Sequence, residues 1–337
     1  MWNLERSLSF FISSHSSRGY ISFYEESYGP LQKTEILCNW PQRSAGELLA
    51  QIKTAAVSRE EPVWTVLHSL DGTPEGLILP ERSVGVFFPR PWDALYSDGN
   101  RLTASYGLVK KALEESHRCF ARALPIHDQW ESIYIGETNF DRLNQLAAET
   151  AEGLLDGKAG TEPGKNVLRF LGAATHSGSM DVIDQITADI PRRIFIKGRP
   201  GTGKSTFLKK IRAAANAAGW NTEEYRCAFD PNSADMVVIP GLGICLFDST
   251  APHEHFPSRE GDEILDIYKA AVTPGTDERY QEEISAISRR YKEQIRQATA
   301  ALDQAWTVWN RIDAQRDDWD SAAIQKEKEQ ILHRILK

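Results

Sequence analysis

A glycine-rich segment with one lysine constrains the fold of this chain more than any other feature. It runs from Gly198 to Ser205, reads GRPGTGKS, and fits the pattern G-x-x-x-x-G-K-[ST] at every position. The apolar, β-branched run RRIFI precedes it. STFLKKIRAAANAAG, which is rich in helix-forming residues and closed by Gly219, follows it. The sequence therefore predicts a strand, a phosphate-binding loop and a helix in succession.

Each residue type in this segment has a physical reason to contact a nucleoside triphosphate. Glycines permit backbone conformations in which successive N–H groups point at one phosphate, and the helix N-terminus adds partial positive charge there. We expect Lys204 to neutralise the β- and γ-phosphates of ATP, and the Ser205 hydroxyl to bind Mg²⁺. The predicted nucleotide-binding residues are Gly198, Arg199, Pro200, Gly201, Thr202, Gly203, Lys204, Ser205 and Thr206.

A carboxylate at the end of another apolar strand completes the predicted site. The run GICLFD ends at Asp248, where a carboxylate beside the loop would hold Mg²⁺ together with Ser205. Lys204 and Asp248 are thus the predicted catalytic residues. The alternative is that Asp248 caps a turn, because the polar residues Ser249 and Thr250 follow it.

The residue that positions the attacking group is less well defined. Motor-type ATPases usually carry a glutamate directly after the strand-end aspartate, and none follows Asp248 here. This argues against a strand-translocating motor. The candidates, which the sequence does not rank, are Asp230, Asp235, His253 and Glu254.

The chain also repeats itself at a separation of 159 residues. FFISSHSSRGYISFY, from Phe10, aligns with RFLGAATHSGSMDVI, from Arg169, and both segments predict a β-hairpin. The Gly/Pro/Lys-rich stretch DGKAGTEPGKN between the halves is typical of a linker. The sequence therefore predicts a tandem duplication, with residues 1–157 and 158–337 as two domains.

The first half lacks the residues that phosphate chemistry needs. Ser44-Ala45-Gly46 stands where the second half has Gly203-Lys204-Ser205, and Phe88 stands where the second half has Asp248. The ammonium, the hydroxyl and the carboxylate are all lost at corresponding positions. We therefore expect a degenerate first domain with a structural or regulatory role.

Helical stretches follow the predicted strands in both halves. Apolar residues between Tyr280 and Trp309 recur every three or four positions, which predicts one long amphipathic helix with a helix-packing seam. A shorter helix that ends near Leu336 is expected to pack back on it as a helical hairpin. Residues 106–155 follow a similar pattern. The predicted fold class is α/β: a P-loop NTPase fold in tandem, with a helical hairpin inserted after the acid strand of each half.

Composition narrows the function classes. The formal net charge is −8, which disfavours a nucleic-acid-binding surface. The four cysteines have neither metal-ligand nor paired spacing and are expected to be reduced thiols. No secretory signal and no apolar run of membrane-spanning length is present. These features predict a cytoplasmic protein with neither a nucleic-acid nor a membrane partner.

Three segments together resemble a known family. IFIKGRPGTGKSTFLKKI, DPNSAD from Asp230 and DSTAPH from Asp248 are similar to the bacterial (Firmicutes-type) tandem P-loop NTPases, which are labelled ATPases or nucleotide kinases. The resemblance implies a P-loop fold, ATP and Mg²⁺. Members often keep a lysine-containing loop in both halves, and the first half of this chain departs from that pattern.

The function predicted from these observations is the binding and hydrolysis of Mg-ATP by the second half. One alternative is a kinase that transfers the γ-phosphoryl group to a small acceptor, for example a nucleotide, held by the loops at residues 230–235 and 253–259. A second alternative is a switch that binds ATP and acts through a partner protein.

Overall fold

The computed structural model describes residues 6–93, 104–155, 160, 162–251, 254–316 and 321–337. Two sequence predictions lie outside these ranges: His253, and the domain boundary between residues 157 and 158. Strands and helices are mixed along the chain, and most of the strands form one large central sheet. The predicted α/β class is therefore confirmed.

The elements of the first half are the strands β1 (Leu8–Phe11), β2 (Ser13–Ser16), β3 (Gly19–Ser22) and β4 (Lys33–Ile36), helix α1 (Gln42–Val57), strands β5 (Trp64–Leu67), β6 (Pro74–Leu79) and β7 (Val84–Phe87), and helices α2 (Ala104–Glu137) and α3 (Phe140–Leu155).

The elements of the second half are β8 (Asn166–Phe170), β9 (Gly172–Thr175), β10 (Gly178–Asp181), α4 (Ile183–Ile186), β11 (Arg192–Lys197), α5 (Lys204–Ala217), β12 (Thr222–Arg226), β13 (Ala234–Ile239), β14 (Ile244–Asp248), β15 (Asp262–Asp266), α6 (Ile267–Ala271), α7 (Thr276–Arg279), α8 (Gln281–Ala314) and α9 (Ser321–Leu336).

One sheet of eleven described strands runs through both halves, in the order β15-β11-β14-β13-β12-β8-β1-β5-β6-β7-β4. The order β8-β12-β13-β14-β11 in the second half matches β1-β5-β6-β7-β4 in the first. Within this sheet, all strands of each half but one (β6 or β13) run in the same direction. The halves join where Phe11 pairs with Phe170, so the carboxyl ends of β1 and β8 meet.

Helices α1 and α5 occupy equivalent places beside the sheet. Each buries one face with the spacing i, i+1, i+4 and i+8, which is typical of a helix that covers a sheet. The buried residues with this spacing are Leu48, Leu49, Ile52 and Ala56 in α1, and Phe207, Leu208, Ile211 and Ala215 in α5. The two sets are again 159 residues apart.

The helices that follow the sheet strands cross between the halves. The long helices α2 and α8 pack along each other, and the predicted seam of α8 is confirmed, with Leu302 and Trp309 buried against α2. The short helix α3 packs on α5 through Leu143 and Ala147.

The predicted packing of the C-terminal helix is wrong. Helix α9 does not fold back on α8 as a hairpin, because its buried residues Ile331 and Ile335 lie in the core formed with α1. The physical reason is that α2 already covers the apolar face of α8, which leaves α9 to cover the first-half helix. Among the described helices, none combines the length and the apolar character that crossing a membrane requires.

Candidate functional site

The glycine-rich loop joins β11 to α5, so the predicted order of strand, loop and helix is confirmed. Gly201 and Gly203 have φ values of +78° and +84°, which residues with side chains rarely adopt. The Thr202 hydroxyl donates to the Arg199 carbonyl (2.8 Å) and accepts from the Arg199 N–H (3.2 Å). These bonds hold the loop in a closed turn.

Lys204 and Asp248 come together at the start of α5. Strands β11 and β14 pair in parallel with Ile196 beside Asp248, which brings the end of β14 next to the loop. The Lys204 ammonium donates to the Arg199 carbonyl (2.8 Å) and lies 3.5 Å from Asp248 Oδ2. Asp248 Oδ1 accepts from the Thr250 N–H (3.1 Å) and hydroxyl (2.6 Å). Asp248 therefore caps a turn with one oxygen and faces the lysine with the other.

The two hydroxyls after Lys204 differ in their surroundings. Ser205 Oγ accepts the Ala234 N–H at 2.9 Å, which links α5 to the start of β13. Thr206 is exposed. Both follow the loop directly, but only Ser205 is tied to the sheet.

Three of the candidates for positioning the attacking group lie within the described residues: Asp230, Asp235 and Glu254. Asp230 pairs with Arg18 of the first half at 3.4 Å. Asp235 is buried on β13. Glu254 is exposed and lies 3.9 Å from Lys197. His253 lies outside the described residues.

The contact between the loop and two first-half helices was missed by the sequence analysis. A Cβ atom on Gly201 would overlap the backbone oxygen of Glu131 in α2, and one on Gly203 would lie 2.5 Å from Leu143 Cδ2 in α3. The glycines thus serve close packing as well as backbone conformation. Only the helical spacing of α2 and α3 was visible in the sequence, and it does not name the partner of either helix.

Arg199 also links the loop to α2, through Asp277 of α7. Its guanidinium donates to Asp277 Oδ2 at 2.7 and 3.1 Å, and Tyr134 of α2 donates to Asp277 Oδ1 at 2.7 Å. Arg199 also lies over the ring of Tyr268, 5.1 Å from its centre. The loop is therefore joined to α2 and α7 by a connected polar network.

Three polar side chains of α2 face the second half near the loop: His127, Asp128 and Glu131, whose ligand atoms lie within 4.8 Å of one another. His127 Nδ1 is 3.7 Å from Glu131 Oε1, and its ring contacts Phe229 and Tyr291. Burial lowers the pKa of His127, against the opposing effect of the Glu131, Asp128 and Asp230 carboxylates, and the Lys204 charge lowers it further. The i, i+4 spacing of His127 and Glu131 was the signal that could have revealed this group.

The first half has a different arrangement at the start of α1. Pro41 precedes the helix, which begins at Gln42, so that Ser44 lies inside the helix where its counterpart Gly203 precedes one. The Gln42 N–H faces both oxygens of Asp313, from α8, at 3.1 and 3.2 Å. A carboxylate of the chain itself thus occupies the N-terminus of α1.

Comparison with family models, with curated proteins and with solved structures finds no match to this chain.

Proposed function

We propose that the second half binds Mg-ATP at residues 198–206 and hydrolyses it. The observation that carries this proposal is the juxtaposition of Lys204 and Asp248 at the N-terminus of α5, beneath a loop with two left-handed glycines. A lysine, a helix N-terminus and inward backbone N–H groups together favour a polyphosphate. In this proposal the fold is a tandem P-loop NTPase fold, and residues 158–337 form its competent domain.

The oxygen donors beside Lys204 suit Mg²⁺. Ser205 supplies a hydroxyl and Asp248 a carboxylate, and Mg²⁺ prefers oxygen ligands. Asp248 Oδ2 accepts no hydrogen bond from the described residues and faces the Lys204 ammonium at 3.5 Å. This oxygen is therefore available to bind Mg²⁺. When bound, Mg²⁺ would offset phosphate charge as it develops.

The degenerate first half contributes to the same site. Helix α2 presents His127 and Glu131 on the side of Lys204, and burial keeps the imidazole neutral at neutral pH. A neutral imidazole paired with a carboxylate can accept a proton from an attacking water. We propose that this pair positions the water, a role that the sequence assigned to other residues.

The first experiment is phosphate release from Mg-ATP, measured for the wild type, Lys204→Ala and Lys53→Ala. Lys53 lies on α1 and contacts Thr65, so it is a matched lysine of the other half. We expect Lys204→Ala to lose at least about 100-fold in turnover, because phosphate charge would no longer be offset. Lys53→Ala should retain the turnover of the wild type. Equal turnover in Lys204→Ala and the wild type would refute the proposal.

A nucleotide-dependent switch is the second candidate. It is favoured by the contacts of Gly201 with Glu131 and of Arg199 with the Asp277–Tyr134 pair, which join the loop to the α2–α8 bundle. Tight ATP binding with negligible phosphate release would support it. ADP formation that requires an added acceptor would instead indicate the kinase.

A further inference from the structure

A cluster of charged side chains is buried in the first half, away from the glycine-rich loop. His68 follows β5, Glu75 lies on β6 and Asp93 follows β7. Their side chains are 1%, 8% and 5% exposed. Burying ionisable groups is costly unless they are neutralised and satisfied. A half that has no phosphate loop therefore keeps an expensive polar site for another reason.

The donor atoms of this cluster converge on one point. His68 Nε2 lies 3.6 Å from Asp93 Oδ2 and 3.9 Å from Glu75 Oε2. Ligands about 2.1 Å from a tetrahedral ion are about 3.4 Å from one another. His68 Nε2 has no hydrogen-bond partner among the described residues, although the ring is almost fully buried. An imidazole nitrogen and two carboxylates are groups that divalent metal ions bind.

We propose that His68, Glu75 and Asp93 bind a divalent transition-metal ion such as Zn²⁺. Mixed imidazole and carboxylate ligands suit Zn²⁺ better than Mg²⁺ or Ca²⁺, which prefer oxygen alone. The two carboxylates neutralise the ion, and the neighbouring Asp71 and Arg90, 3.5 Å apart, neutralise each other.

A small cavity borders two of the three proposed ligands, and a tyrosine holds one of them. A cavity of about 10 Å³ borders Tyr20, Glu75 and Asp93, which is about the room that one water needs. The Tyr20 hydroxyl donates to Asp93 Oδ1 at 3.1 Å and fixes that carboxylate. The cavity borders Glu75 and Asp93, so a water in it would complete the coordination of the ion from their side.

Metal binding requires one rearrangement at His68. In this structure Nδ1 accepts the Leu70 N–H at 3.2 Å and lies 3.6 Å from Asp71 Oδ1. With a metal on Nε2, the proton belongs on Nδ1, so the Leu70 N–H must turn away from this nitrogen and the Asp71 contact must close to about 3.0 Å. Asp71 then holds the imidazole in the correct tautomer and is a positioning residue.

The test uses Co²⁺ as a probe on the full chain without nucleotide. We expect about one Co²⁺ per chain with the visible bands of a four-coordinate site, displaced by Zn²⁺. Glu75→Gln and Asp93→Asn should each weaken binding at least about 100-fold, and Asp71→Asn about 10-fold. Glu131→Gln is the matched control from the His127 cluster and should bind as the wild type does.

A second measurement guards against misfolded variants. Zn²⁺ should raise the Tm of the wild type and of Glu131→Gln, because an ion that binds only the folded chain stabilises it. It should not raise the Tm of Glu75→Gln. The proposal is overturned if the wild type binds no Co²⁺, if Glu75→Gln binds it equally well, or if Glu131→Gln alone abolishes binding.

Discussion

Helices α1 and α5 occupy equivalent places in their halves but begin in different ways. Helix α5 begins at Lys204 after a loop with two left-handed glycines, and its first turn faces Asp248. Helix α1 follows Pro41 directly, and the Gln42 N–H at its N-terminus donates to the carboxylate of Asp313. A helix N-terminus attracts an anion in either case. In the first half a carboxylate of the chain itself lies at the helix N-terminus, whereas in the second half the proposed function assigns the same position to phosphate.

The N-termini of α1 and α5 are each covered by helices from the opposite half. The end of α2 and the start of α3 lie on the second-half loop, whereas the end of α8 and all of α9 lie on first-half elements. Each half therefore supplies the cover of the other. This gives a physical reason for the chain to keep a first half that lacks phosphate-binding residues.

The largest expected effect comes from the α2 side chain that crosses to the loop. Glu131→Gln keeps the shape of the side chain but removes the charge beside His127. We expect kcat for ATP hydrolysis to fall about 100-fold while ATP affinity stays unchanged. The reason is that His127 and Glu131 act on the attacking water and not on the phosphates. An unchanged kcat would show that Glu131 of the first half takes no part in the reaction.

Two glycine substitutions compare the helices directly. Gly201→Ala places a methyl group against the Glu131 backbone at a φ of +78°, so we expect a loss of about 2 kcal/mol in the free energy of unfolding. Gly46→Ala meets no atom within 4 Å inside α1 and should gain about 0.5–1 kcal/mol. Denaturant unfolding of both variants measures this. A harmless Gly201→Ala would show that α2 does not dock on the loop.

The smallest effect is expected at the N-terminus of α1, which Asp313 caps. Asp313→Ala removes the carboxylate that caps α1 and should lower the free energy of unfolding by about 1 kcal/mol. The variant should still bind no nucleotide in its first half, because Ala45 stands where a lysine is needed. A second ATP site in Asp313→Ala would mean that the carboxylate alone blocks it.

Local features were predictable from the sequence, and long-range partners were not. The strand, loop and helix around Lys204 follow from residues that are adjacent in the chain, and Asp248 ends a recognisable strand. The apolar stripe of α9 showed that it must be covered, but its spacing carries no information on whether α8 or α1 does so. Gln42 and Asp313 are also joined only by the fold.

The same limit applies to the polar groups of α2 and of the buried cluster. His127 and Glu131 are neighbours on one helix, but their position beside the loop depends on how α2 crosses to the second half. His68, Glu75 and Asp93 come from three separate segments that meet at the carboxyl ends of first-half strands. No spacing rule for metal ligands covers such a set, so the structure was needed to find it.

The proposed function requires that only the second half holds a nucleotide. Calorimetric titration with a non-hydrolysable ATP analogue and Mg²⁺, on the wild type and Lys204→Ala, tests it most directly. We predict one nucleotide per chain in the wild type and none in Lys204→Ala, whose unfolding transition should otherwise match. Two nucleotides per chain, or one that remains in Lys204→Ala, would contradict the account.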